Sequence, residues 1–322
     1  MSDFFHINDG SFNKRIFYAN GPMYISAATT STAFQTWQKP IGTKFVHFFV
    51  LGAGGGGGNS SNGGVSARGG GGGGSAGHVT GLFLASVLPD TLYINVGVGG
   101  VGGGPGNTGQ SLDGSGGNGA LSYVMIYPDT SFAAANVLLQ SGSAAAVGGR
   151  TGGSVSAAGT AGTVWTPTGS IFNKLGLISA YAGQAGVVGV AAGVGANLLI
   201  SGITTGGASG AGTNSVPLNG GSIIGYGKIP TISGGTSAST LTINGSGKYM
   251  SSTPNTVGMT YGQMFFSGGA GGASLSNAQG GTGGDGAYGS GGGGGGAYIS
   301  GTVINKGNGG RGGDGLVIIT CW

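Results

Sequence analysis

The stretch that decides the fold is FVHFFVLGAGGGGG, residues 45–58, where seven strand-forming residues run straight into a block of glycine. Its apolar half places Phe45, His47, Phe49 and Leu51 on one side and Val46, Phe48 and Val50 on the other. It therefore reads as a strand buried on both faces. The glycine half has no side chain to bury. Two more pure runs, 69–74 and 291–296, repeat the problem, and 83 of the 322 residues are glycine. A flexible linker would lack the apolar blocks, and a disordered segment would carry more than the 6% of charged residues found here. Ordering glycine in regular structure costs roughly 0.5–1 kcal/mol more than ordering alanine. The runs must therefore pack backbone against backbone and hydrogen-bond sideways, or else be loose loops. A polyproline-II-type helix has three residues per turn, rises about 3.1 Å per residue and has no internal hydrogen bonds, so all of its amides are free to bond laterally. The expected fold is mainly β, with polyglycine-II helices forming a glycine-rich sandwich capped by short antiparallel strands. Almost no α-helix is expected, because glycine interrupts nearly every window long enough for one.

Outward from this stretch, the first strand is expected over 44–51, after the turn at Pro40 and Gly42. Others are expected over 78–85, 91–98, 121–127 and 315–320. In 91–98 the buried side is Leu92, Ile94, Val96 and Val98. Residues 1–38 differ in composition, with only Gly10 and Gly21 among five Phe, two Tyr and Trp37. They read as an attachment or capping region, with Phe4, Phe5, Phe12, Phe17, Tyr18 and Trp37 as its contact residues. Residues 39–322 read as a glycine-rich domain with inserted aromatic loops.

The inventory excludes more than it includes. There is no Glu, and the one cysteine, Cys321, allows no intrachain disulfide. A net charge of +4, spread thinly along the chain, is too sparse for a nucleic-acid groove. Met1-Ser2-Asp3-Phe4-Phe5-His6 is not a signal peptide, so synthesis in the cytoplasm is expected. His6, His47 and His78 form no catalytic constellation, and no cofactor or enzymatic activity is expected. The GxGxxG at 52–57 lacks the helix and the downstream acid that a dinucleotide site needs. The segments 280–288 and 309–317 resemble a calcium-binding nonapeptide, with Asp285 and Asp314 at its acidic position. That motif works in tandem, and here its two copies are isolated. The competing reading is an aspartate bonding backbone amides in a glycine turn. Residues 175–200 hold no charge and are long enough to span a bilayer, but they contain six internal glycines, Gln184 and Asn197. A buried layer of the glycine domain is the simpler expectation.

Three glycine-poor segments, 164–181, 214–232 and 248–266, set large side chains among Ser, Thr, Asn and Pro. Trp165, Tyr181, Tyr226, Tyr249, Met250 and Tyr261 are the candidate binding residues, since Tyr and Trp give contact area at small entropic cost. Core filling is the other reading of the same residues.

The ordered motifs resemble a known family. They are Trp37 with Pro40 and Gly42, GAGGGGG at 52–58, SAGHV at 75–79, LPDTLYINVGVGG at 88–100 and GGRGGDGLVII at 309–319. Together they look like the glycine-rich domain of tail fibres and tail-tip adhesins of tailed bacteriophages, over about 36–125 and 268–322. The resemblance implies a virion surface protein that binds a host surface protein or glycan through variable loops. Residues 1–38 would then attach it to other virion proteins of the fibre, baseplate or capsid. A structural role as head decoration, head fibre or baseplate protein is the alternative, and a homo-oligomer is left open.

Overall fold

The computed structural model describes residues 13–19, 34–61, 67–104, 114–142, 157–167, 174–213, 216–225, 231–237, 265–274, 280–298 and 306–322. The protein is mainly β and nearly helix-free; among the described residues the only helical pieces are single 3-10 turns such as Ala85–Val87 and Ala134–Asn136. Eleven short strands are β1 Asn13–Tyr18, β2 Gln35–Gln38, β3 Phe45–Leu51, β4 His78–Leu84, β5 Thr91–Asn95, β6 Tyr123–Met125, β7 Val137–Gln140, β8 Gly176–Tyr181, β9 Leu198–Leu199, β10 Ile223–Ile224 and β11 Leu316–Cys321.

A first sheet has the order β1-β11-β3-β4-β8 and a second β2-β5-β6-β7, both antiparallel throughout. One face of the first sheet, with Val46, Phe48, Val50, Val79, Phe83, Val317 and Ile319, packs on Leu92, Ile94, Val124 and Leu139 of the second. Trp37, on edge strand β2, is fully buried and meets Phe48 edge-on at 6.5 Å. Complete burial of side chains of this size contributes about 1.5–3 kcal/mol each, so this core anchors the molecule.

Past Leu51 the chain stops pairing as a strand and enters a lattice of glycine segments. In the central run, Gly291–Gly296, all six N–H and all six C=O groups are hydrogen-bonded, to six different segments. Gly291 and Gly294 donate to Thr205 and Ala208, Gly292 and Gly295 to Gly55 and Gly58, and Gly293 and Gly296 to Gly284 and Gly281, at 2.8–3.0 Å. The same three residue classes accept from Gly269 and Gly272, from Gly73 and Gly70, and from Gly310 and Gly307. Partners repeat every third residue, which is the period of a polyproline-II-type helix and not of a strand. Six lateral neighbours make it the centre of a hexagonal bundle.

The run 54–58 follows the same rule, its classes donating to the segments 307–313, 68–74 and 114–120, all antiparallel to it. Positive φ among the described glycines is confined to Gly42, Gly114 and Gly289, so the runs themselves keep one hand. What glycine supplies inside them is close approach. A β-carbon on Gly293 would lie 2.0 Å from the Ala270 carbonyl oxygen.

Several expectations need correction. Strand β3 is not closed on both faces along its whole length. Phe49 and Leu51 are covered by Ile203, Phe266 and Tyr288, whereas Phe45 is exposed and His47 half-buried. Segment 91–98 is a strand only to Asn95, because Gly97 onward joins the lattice. One strand pair, β9 with β10, is parallel. The described parts of 1–38 are strands of the same two sheets as the rest. Residues 175–200 are not a buried layer. They run along the surface, with Leu177, Val188, Val194 and Leu199 more than half exposed. Among the described residues no helix is long and apolar enough to cross a membrane.

Substitution in the lattice should be far more costly than elsewhere in the glycines. Gly293→Ala is expected to lower unfolding free energy by more than about 3 kcal/mol, since its clash is with backbone. Gly202→Ala, whose β-carbon would meet nothing closer than 3.7 Å, should change it by less than about 0.5 kcal/mol in the same denaturant titration.

Candidate functional site

The lattice has two ends. One continues into the sheets, through Leu51–Gly52, Gly77–His78 and Gly315–Leu316. The other is closed laterally by polar residues. Asn59 N–H bonds the Gly114 carbonyl, Ser60 exchanges bonds with Gly307, and Ser61 pairs with Arg68 through both main chain and hydroxyl. Thr213 N–H bonds the Ala67 carbonyl, and Gly281 N–H bonds that of Ala273.

Four stretches of five residues or more are flanked on both sides by described residues of this one end: 62–66, 105–113, 275–279 and 299–305. In the sequence they hold Asn62, Asn107, Thr108, Gln110, Asn277, Gln279, Thr302 and Asn305 as neutral donors and acceptors, with Asp113 as their one charged residue. Arg68 and Lys306 are the charged side chains beside them among the described residues.

The residues expected to bind from sequence are scattered. Trp165 is 6% exposed and belongs to the main core, so its side chain packs the sandwich and cannot contact a partner. Tyr181, at the lattice end of β8, is half exposed and stacks on His78 with ring centroids 4.8 Å apart. Tyr226, Tyr249, Met250 and Tyr261 lie outside the described residues, as do Phe4, Phe5 and Phe12 of the expected attachment set. Phe17 and Trp37 of that set are core residues, buried because each faces the opposing sheet. Tyr18 is exposed and lies 6.0 Å from Tyr288. The four stretches flanked by the lattice end carry no aromatic side chain, the feature that marks the glycine-poor segments in the sequence. Their signal in the sequence is positional: each is a short break between glycine runs.

The two aspartates of the nonapeptide-like segments serve the backbone. Asp285 accepts from the Arg311 main-chain N–H at 2.7 Å. Asp314 accepts from the Gly99 N–H at 2.8 Å and pairs with the Arg311 guanidinium. Among the described residues no three of His, Cys, Asp and Glu come together as metal ligands. Asp129, held by Ser131 and Asn136 side chains and the Ser131 and Ala133 amides, has its pKa lowered to about 2 and orders a surface turn.

His78 sits at the junction of sheet and lattice, between Phe49 and Tyr181. Burial lowers its pKa from 6.5 to about 4, and its Nδ1 has no hydrogen-bond partner. No protein-family model matches the chain, and no curated protein matches it.

Two outcomes test these assignments. Trp165→Ala should lower stability by about 3–5 kcal/mol, the cost of emptying a core aromatic site, as read by thermal unfolding. His78 is neutral in both states above pH 6.5. As the pH falls from 6.5 to 4 the unfolded chain takes up a proton there that the folded protein refuses, so stability is lost across that window. The loss should reach up to about 3 kcal/mol and should fall in His78→Gln to the part carried by half-buried His47, whose pKa burial also lowers. Denaturant melts at intervals between pH 7 and 4 measure it.

Proposed function

We propose that this chain is a receptor-binding protein of the bacteriophage virion surface. The lattice serves as a rigid spacer, and its open end is the part that meets the host. The observation that carries the reading is that the residues flanking four stretches of the sequence lie at one end of a hydrogen-bonded bundle. Rigid scaffolds that present variable polar segments at one end are how folds separate stability from recognition. The motif order shared with the glycine-rich domain of tail-fibre and tail-tip proteins supports the same reading. Binding would rest on hydrogen bonds from Asn, Gln, Ser and Thr to a surface protein or glycan of the host. No step of bond-breaking chemistry is part of it.

A structural role in the virion is the second reading. It is favoured by the apolar surface at the sheet end, which suits assembly better than display.

The decisive experiment measures binding of labelled full-length protein to a panel of bacterial strains. It is run beside versions in which 105–113 or 299–305 is replaced by a Gly/Ser stretch of equal length. Saturable binding to particular strains, weakened ten-fold or more by either replacement at unchanged melting temperature, is expected. Failure of the folded protein to bind any strain, or binding indifferent to both replacements, would move the assignment to the structural role.

A further inference from the structure

Strand β8 is an outer strand of the first sheet and pairs with β4 on one side. Which of its backbone groups face away from the sheet follows from the register. The Gly52 N–H bonds the Gly77 carbonyl, and the Ala85 N–H bonds that of Lys44. The bonded pairs of β3 and β4 are therefore Val50–Val79, Phe48–Gly81 and Val46–Phe83. On β4 the alternate residues His78, Thr80 and Leu82 then bond across to Tyr181, Ser179 and Leu177. That directs the N–H and C=O of Gly176, Ile178 and Ala180 outward. Among the described residues these six groups have no hydrogen-bond partner.

Sheet edges in monomers are usually blunted by charge, proline, a bulge or a covering segment. The opposite edge, β1, carries Lys14 and Arg15. Strand β8 is GLISAY, with neither charge nor proline, and its register with β4 runs without a shift. Its side chains turned away from the core are open as well, with Leu177 78% exposed and Tyr181 51%.

The order of its residues fits one occupant, a second copy of the same strand. The three outward residues are spaced evenly about Ile178. A two-fold axis there sets Ile178 against its own mate and Gly176 against Ala180, in an antiparallel ladder that pairs all six groups of each strand. On the outer face the same axis places Leu177 opposite Ser179 of the second copy. The two Leu177 side chains become diagonal neighbours and cover one another. No like charges meet along the ladder, because residues 175–200 are uncharged. Pairing β8 with a β1 edge instead would repeat head to tail without closing, whereas the two-fold contact closes on itself.

We infer that the protein self-associates through β8, joining two five-stranded sheets into one continuous antiparallel sheet about a two-fold axis at Ile178. Each lattice leaves its own β8 after Tyr181, so the two lattices project in opposite directions. The dimer carries an open lattice end at each extremity. This contact rests on strand geometry and is independent of what the open ends bind.

The test is sedimentation of the full-length protein at concentrations from micromolar to submillimolar, where a concentration-dependent dimer is expected. Leu177→Asp with Ser179→Asp crowds four carboxylates beside the axis and should weaken the dimer ten-fold or more. Leu177→Lys with Ser179→Lys should do the same with four ammonium groups. Both positions are exposed, so the melting temperature should stay within a few degrees. Mixing the Asp and Lys proteins in equal amounts should restore the dimer, because position 177 of one copy faces position 179 of the other. A protein that stays monomeric over the whole range would overturn the inference. So would a dimer indifferent to both variants, or a mixture of the two that remains monomeric.

Discussion

Lateral hydrogen bonding between backbones that carry no side chains is the constraint on which the molecule depends. In runs such as Gly291–Gly296 the bonds point outward, to a neighbour set by residue position modulo three, so that no such run is satisfied without the others. One such bond contributes about 1 kcal/mol net, and fixing one backbone costs about 1–2 kcal/mol, with glycine toward the upper end. On these figures the bonds of the bundle alone do not offset the cost of ordering it. Net stability has to come from the two-sheet core, where Trp37, Phe48, Phe83, Leu92 and Ile94 are buried almost completely. The sheets also fix the register, because β3, β4 and β11 each hand a glycine run to the lattice at a defined height. Serine hydroxyls extend the same logic where a run lacks a backbone partner: Ser75 accepts from the Gln184 N–H and Ser209 from that of Ala196.

Much of this was legible in the chain. Strands β3, β4, β5 and β11 follow from alternation and from β-branched and aromatic content, and the fold class follows from glycine runs abutting apolar blocks. What escaped was decided by tertiary partners. Strand β1 is NKRIFY and β8 is GLISAY; both are edge strands with one side open, so their burial pattern is weak. Trp165 and Trp37 have the composition of contact residues and the environment of core ones, a distinction only packing makes. A three-residue rhythm is present locally in TGGASGAGT at 205–213 and SGGAGGAS at 267–274. There Ala208 and Ala270 turn their methyls onto Ile223 and Ile232. It is too short in each run to stand out over the whole chain.

The same architecture explains why the candidate surfaces lie where they do. A bundle of parallel rods has little freedom along its sides, where every third residue is committed to a neighbour. Residues 175–194 show the boundary case. On that outermost segment Ala182, Ala185, Val188, Ala191 and Val194 recur at the lattice period and all are exposed, while Gly183 and Gly186 between them bond inward to Gly162 and Gly159.

The central claim is that the glycine runs are ordered, mutually bonded helices, and native-state amide hydrogen exchange tests it most directly. If the account is right, the amides of Gly291–Gly296 exchange only through global unfolding, as slowly as those of Phe48 and Val50 in the sheet core. Exchange of those glycine amides near the rate of an unprotected peptide, while the sheet amides stay protected, would contradict it.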